Sequence, residues 1–145
     1  DSVRFLKNIS GLWLIQECKR QWELDGMPLD FATMASLAAA ADPFSAFIDP
    51  DDASFASPGN MPDKIRSWCE KTGQTVPEGQ GSILRVATDS LALKYRVVFE
   101  DVRTLTGMNF QRLHAGGGGI VEALQHRGHT SDGLLEAVEN VIGLP

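Results

Sequence analysis

Four consecutive glycines, Gly116 to Gly119, close an apolar stretch, FQRLHA over Phe110–Ala115. No other feature constrains the chain as much. Glycine lacks a Cβ, so it takes up positive φ and lets another group come close to the backbone. A short strand ending in such a run, with a helix opening at about Ile120, can turn its amide hydrogens toward an anion, and the helix dipole adds to the attraction. Nucleotide binding is the function this suggests first. A plain flexible turn is the alternative. The run is neither GxGxxG nor GxxxxGK[ST], and no Lys or Ser/Thr stands where a P-loop needs one.

Charge and composition narrow the classes. The 145 residues suit one domain with a real core. Thirteen basic against nineteen acidic residues give a net charge of −6. There is no basic patch for a nucleic acid, and no segment is long and apolar enough to span a membrane. An acidic protein that binds a polyanion such as ATP needs Mg²⁺ and backbone amides to offset repulsion. Two cysteines, Cys18 and Cys69, make neither a disulfide framework nor a zinc site. They read as small buried apolar residues in a reducing compartment, the cytoplasm. A start at Asp1 and a stop at Pro145 just after an apolar run suggest a piece of a longer protein.

Apolar spacing predicts a helix-rich organisation before the glycines. Gly11–Leu24 forms a helix with Leu12, Ile15, Cys18 and Trp22 inward, capped by Asn8 or Ser10 and ended by Gly26 and Pro28. Asp30 starts a second helix, which carries Phe31, Met34, Leu37 and Ala38 and runs through Ala41. Asp42–Met61, which holds Pro43, Pro50, Pro58 and Gly59, is a long loop. Pro62 opens a third helix, with Ile65 and Cys69 on one face and Gly73 as its end. Gly79–Gly81 is another loop. The longest helix runs from about Ser82 to Leu105, with Ile83, Val86, Ala87, Ser90, Leu91, Lys94, Val97, Val98, Val102 and Leu105 as its inward stripe and Gly107 as its stop. A last helix spans Gly133–Ile142.

Other candidate chemistry is thin. Asp49, Asp51 and Asp52 resemble a metal site, but DPDD next to proline is more often a solvated turn. His114, His126 and His129 lack ligand spacing and read as surface residues. Ser90 has no GxSxG elbow around it. Trp13, Trp22 and Trp68 read as core or interface anchors.

The stretches VRFLKNISGLWLIQECKRQW, FIDPDDASFASPGNMPDKIRSWCEKTGQTVPE, SILRVATDSLALKYRVVFEDVRTLTG and FQRLHAGGGG occur in that order from Val3 to about Gly119. Together they resemble the C-terminal domain of the FGGY carbohydrate kinase family. LKNxxGLWLxQ and SLALKY resemble its rhamnulokinase-like members, whereas the glycine run is shared more widely among kinases of the actin-like fold.

The resemblance implies an α/β, actin-like ATPase (ribonuclease H-like) domain, helix-rich at its start and cut before its sheet is complete. It implies transfer of the γ-phosphate of ATP to the 1-hydroxyl of L-rhamnulose, with Mg²⁺, in a cleft closed by two such domains. A related ketose, or a non-catalytic nucleotide-binding or interaction remnant, is the alternative. The family places Asn8 near the sugar, and Gln16, Gly117, Gly118 and Gly119 against the nucleotide. Away from the family, Asn8 reads as a cap and Gln16 as the polar face of the first helix. The family's catalytic base is an Asp of the N-terminal domain, so the chain alone is expected to lack kinase activity. After the glycines the family pattern runs through Gln-Asn to Leu-Leu, whereas here the Asn is absent and Leu134-Leu135 comes late.

Overall fold

The computed structural model describes residue 9 and residues 11–107. Four α-helices and one short 3₁₀ turn follow in order: α1 (Trp13–Leu24), α2 (Phe31–Ala40), the turn at Ala53–Phe55, α3 (Met61–Lys71) and α4 (Gln80–Thr106). There is no strand among the described residues. The strand expected at Phe110–Ala115 and the helices expected after Ile120 and Gly133 lie outside them.

The helices follow the expected periods, and their ends show why they stop. α1 buries Leu14, Ile15, Cys18 and Trp22 and ends before Gly26. Its cap differs from expectation. The helix begins at Trp13, and Leu12 occupies the cap position with no side-chain bond. In α2, Asp30 accepts from the Thr33 amide at 2.6 Å, and the helix ends at Ala40, one residue early. In α3, Asn60 accepts from the Asp63 amide at 3.2 Å, and Pro62 sits in the first turn, where its missing N–H costs nothing.

The core gathers Leu14 and Cys18 from α1, Phe55 from the 3₁₀ turn, Met61, Ile65 and Cys69 from α3, and Ile83, Leu84, Val86 and Ala87 from α4. Both cysteines are free and buried, as expected. Trp22 is buried, while Trp13 and Trp68 pack against the cluster from its edge. Each fully buried large side chain stabilises the fold by about 1.5–3 kcal/mol. These contacts hold a long helix in which β-branched residues weaken the intrinsic propensity.

Two expectations for α4 need correction. The Gly79–Gly81 stretch is no loop: Gly79 is the cap and Gly81 lies in the first turn. α2 crosses there so closely that a Cβ on residue 81 would lie 2.6 Å from the Leu37 carbonyl oxygen. Glycine at that position is a packing requirement, so it does not mark a break. The inward stripe is also shorter than expected. It is buried only as far as Leu91, whereas Val97 and Leu105 are 55% and 71% exposed. Gly107 does end the helix, in the left-handed conformation (φ 65°).

Candidate functional site

The first helix carries Gln16, the described member of the residues assigned to ligand binding. Gln16 is exposed at the end of the first turn of α1, and its backbone N–H donates to the Leu12 carbonyl at 2.9 Å. Its neighbours fix the helix. On one side, the Trp13 indole N–H donates to the Phe55 carbonyl at 3.0 Å, and the Phe55 ring meets Trp68 at 5.5 Å. On the other, the buried Glu17 carboxylate accepts from Arg20 Nε and Nη2 at 3.0 and 2.8 Å, and from the Gly59 amide at 3.4 Å. The guanidinium beside it, helped by that amide against the opposing effect of burial, holds the Glu17 carboxyl below its ordinary value. The start of α1 is thus tied to the turn at 53–55 and to the loop before α3. Asn8 and Gly117, Gly118 and Gly119 lie outside the described residues, as do His114, His126 and His129.

A second arrangement was not visible in sequence. The loop after α2 pairs with no strand among the described residues, and α4 and the residues just after α3 take up its backbone groups. Asp89 accepts from the Phe44 amide at 2.8 Å and from Arg85 Nε at 2.9 Å. Gln74 pairs with Phe47 as a neighbouring strand would, accepting from its amide at 2.7 Å and donating to its carbonyl at 2.8 Å. Ser90 accepts from the Ile48 amide at 3.0 Å while donating to the Val86 carbonyl at 2.6 Å. Lys94 reaches Asp49 at 2.9 Å and Asp51 at 3.1 Å, and this pairing holds its pKa above the ordinary value.

This clasp holds Phe44 at φ 57°, a conformation that costs a non-glycine residue about 1–3 kcal/mol. The exposed Phe44 ring lies 6.1 Å from Phe47 and 6.0 Å from the Arg85 guanidinium. Sequence reasoning missed Gln74, Asp89 and Phe44. The one available signal was an acidic residue beside a serine, at the border of an apolar stripe.

The acidic triplet has structural work. Asp49 and Asp51 face Lys94, and Asp52 caps the 3₁₀ turn, accepting from the Ser54 amide at 2.9 Å and its hydroxyl at 2.7 Å. Among the described residues no group of three His, Cys, Asp or Glu side chains is placed to hold a metal ion. Ser90 spends its hydroxyl on two backbone groups, consistent with its exclusion as a nucleophile. No helix of the described residues is long and apolar enough to cross a membrane.

Comparison with known proteins matches the chain to a family. The family model for the C-terminal domain of the FGGY family of carbohydrate kinases matches residues 1–126. The rhamnulokinase of Bacteroides thetaiotaomicron is 38% identical over 144 residues, covering 99% of this chain and 27% of that protein. The rhamnulokinase of Enterococcus faecalis is 42% identical over 121 residues, 82% of this chain and 24% of that one. That of Ligilactobacillus salivarius is 39% identical over 126 residues, 87% and 25%. The chain therefore spans about a quarter of the length of these relatives. The alignment of 144 residues takes in the stretch after Gly119.

Proposed function

The chain belongs to the FGGY family of carbohydrate kinases, and from that premise we propose that it is part of the C-terminal, actin-like half of a kinase that phosphorylates L-rhamnulose at its 1-hydroxyl. One observation carries the reading. The family match covers most of the chain, and relatives at 38–42% identity are named rhamnulokinase. The opening segment of this half supplies Asn8 to the sugar and Gln16 to the nucleotide, and the glycine run lets the nucleotide pack on backbone at Gly117, Gly118 and Gly119.

The described residues fit a positioning role. Phosphoryl transfer depends on alignment of the reacting groups and on stabilisation of charge from both sides of the cleft. Gln16 is exposed on a helix held at Trp13 and at Glu17, so its amide is presented from a fixed base. ATP supplies the phosphoryl group. Asp49 and Asp51 face Lys94, Glu17 faces Arg20, Asp89 faces Arg85 and Asp30 and Asp52 cap helices, and among the described residues no group of three acidic, His or Cys side chains is placed to hold Mg²⁺. The reaction's need for ATP suits a cytoplasmic setting.

Two measurements test this. With the isolated chain, ADP-Mg²⁺ at millimolar concentration should raise the melting temperature, because a ligand that binds only the folded state stabilises it. Gly118→Val should remove that shift, and no shift in the parent chain would count against a working glycine turn. With the intact reading frame, L-rhamnulose should be phosphorylated in preference to other ketoses, while the chain alone turns over none. Preference for another ketose would move the assignment to that sugar.

A further inference from the structure

Between the 3₁₀ turn and α3 lies a cleft of about 520 Å³. Asp52 and Ser54 line it from the turn, and Lys64, Ser67, Trp68 and Lys71, at helical spacing, line it from α3. Its size falls within the range of small-molecule pockets, about 300–1,000 Å³. The half-buried Trp68 indole packs on the buried Phe55 ring at 5.5 Å, so the aromatic part of the lining is held in place.

Some polar groups of the lining are already spent. Asp63 accepts from the Asn60 side chain at 2.6 Å and from Arg66 at 2.9 Å, and the Lys64 ammonium donates to the Ser57 carbonyl at 2.7 Å. Asp52 takes both the amide and the hydroxyl of Ser54 on its Oδ1. The groups left over are of both kinds. Among the described residues, Oδ2 of Asp52 is an acceptor without a hydrogen-bond partner, and the Lys71 ammonium, the Ser67 hydroxyl and the Trp68 indole N–H are donors without one. The charges of the lining cancel, Lys64 and Lys71 against Asp52 and Asp63, so it selects no net charge. We propose that this cleft binds a neutral sugar of monosaccharide size. A sugar ring has an apolar C–H face that packs on an indole, and a rim of hydroxyls that each donate and accept. A small anion would meet the two carboxylates instead. A wholly apolar ligand would cover the open polar groups without pairing them, which costs free energy.

Proton NMR of the chain tests this at the Trp68 indole N–H, whose signal a Trp68→Phe spectrum identifies. The neutral probes are L-rhamnose and D-glucose at millimolar concentration, and inorganic phosphate is the charged one. At least one of the two sugars should shift the Trp68 signal saturably, and phosphate should not. Ser67→Phe places a ring in the cleft from an exposed position and should weaken the binding at least about ten-fold. Lys71→Ala removes one open donor from an exposed position and should weaken it roughly three- to ten-fold. Four results would overturn the proposal: no saturable shift with either sugar, saturation by phosphate in their place, unchanged sugar binding in both variants, or an indole N–H closed to exchange with water. None of these outcomes depends on phosphoryl transfer, so failure here leaves the kinase reading standing.

Discussion

Replacing Gly81 by alanine should destabilise the protein, against the ordinary effect of that change in a helix. Alanine is favoured over glycine by up to about 1 kcal/mol per helical position. Here the added Cβ would stand 2.6 Å from the Leu37 carbonyl oxygen, 3.1 Å from its carbonyl carbon and 3.5 Å from its Cβ. The first two are backbone atoms of α2, so no rotamer change relieves the contact, and α2 and α4 must move apart. Overpacking of this kind costs about 1–3 kcal/mol. Set against that propensity gain, a mid-range cost of about 2 kcal/mol leaves a net loss of about 1 kcal/mol. That corresponds to a melting temperature lower by roughly 3–5 °C. Leu37→Ala separates the mechanisms. It trims a side chain that is not the obstacle, so it should add to the defect without rescuing it. Urea unfolding of the parent, the two single variants and the double variant supplies the numbers. A Gly81→Ala protein as stable as the parent, or more so, would refute the close crossing of α2 over the start of α4.

Ser90→Ala should cost about 1–3 kcal/mol, because it leaves the Ile48 amide buried without its acceptor, and hydrogen exchange at Ile48 should quicken more than at residues of α1. Trp13→Phe keeps a ring but removes the donor to Phe55, so about 0.5–1.5 kcal/mol should be lost in chemical denaturation. The Glu17 carboxyl, held below its ordinary value by Arg20, gives the folded state the lower pKa. Its contribution is fully present above the unfolded value and is lost as pH falls through the folded one. Urea midpoints taken downward from about pH 6 should therefore drop in the parent below its ordinary value of 4.5, and Glu17→Gln should flatten that part of the profile.

Much of the helical layout was legible because it rests on local rules. Asp30 and Pro62 mark helix starts, Gly26, Gly73 and Gly107 mark stops, and Leu14, Cys18, Ile65, Cys69, Ile83 and Ala87 keep helical spacing. The misreadings came from long-range causes. Gly81 looked like a breaker because its reason, the Leu37 carbonyl, lies 44 positions earlier in the chain. Val97 and Leu105 looked buried because spacing reports which face of a helix is apolar and not what covers it. Of the candidate site, only Gln16 can be placed. Its exposure follows from the polar side of α1, while the role proposed for it rests on the resemblance carried by the LKNxxGLWLxQ motif.

The clasp shows why polar residues in an apolar helix need not signal chemistry. The segment from Phe44 to Asp51 carries Ala46, Ile48 and Pro50 into the protein, so its backbone cannot stay solvated throughout. Among the described residues no strand lies beside it to take its amides, and a buried amide without an acceptor costs about 1–3 kcal/mol. Side chains must therefore supply what a neighbouring strand would have supplied. Asp89 serves residue 44, Gln74 serves residue 47 on both of its backbone groups, and Ser90 serves residue 48. Lys94 then meets Asp49 and Asp51 at the end of the same segment. The words FIDPDD and SLALKY, read separately in the sequence, are two sides of one contact. This accounts for Ser90 and Lys94 without any catalytic role. It also predicts that a change on one side will be tolerated best when the other side changes with it.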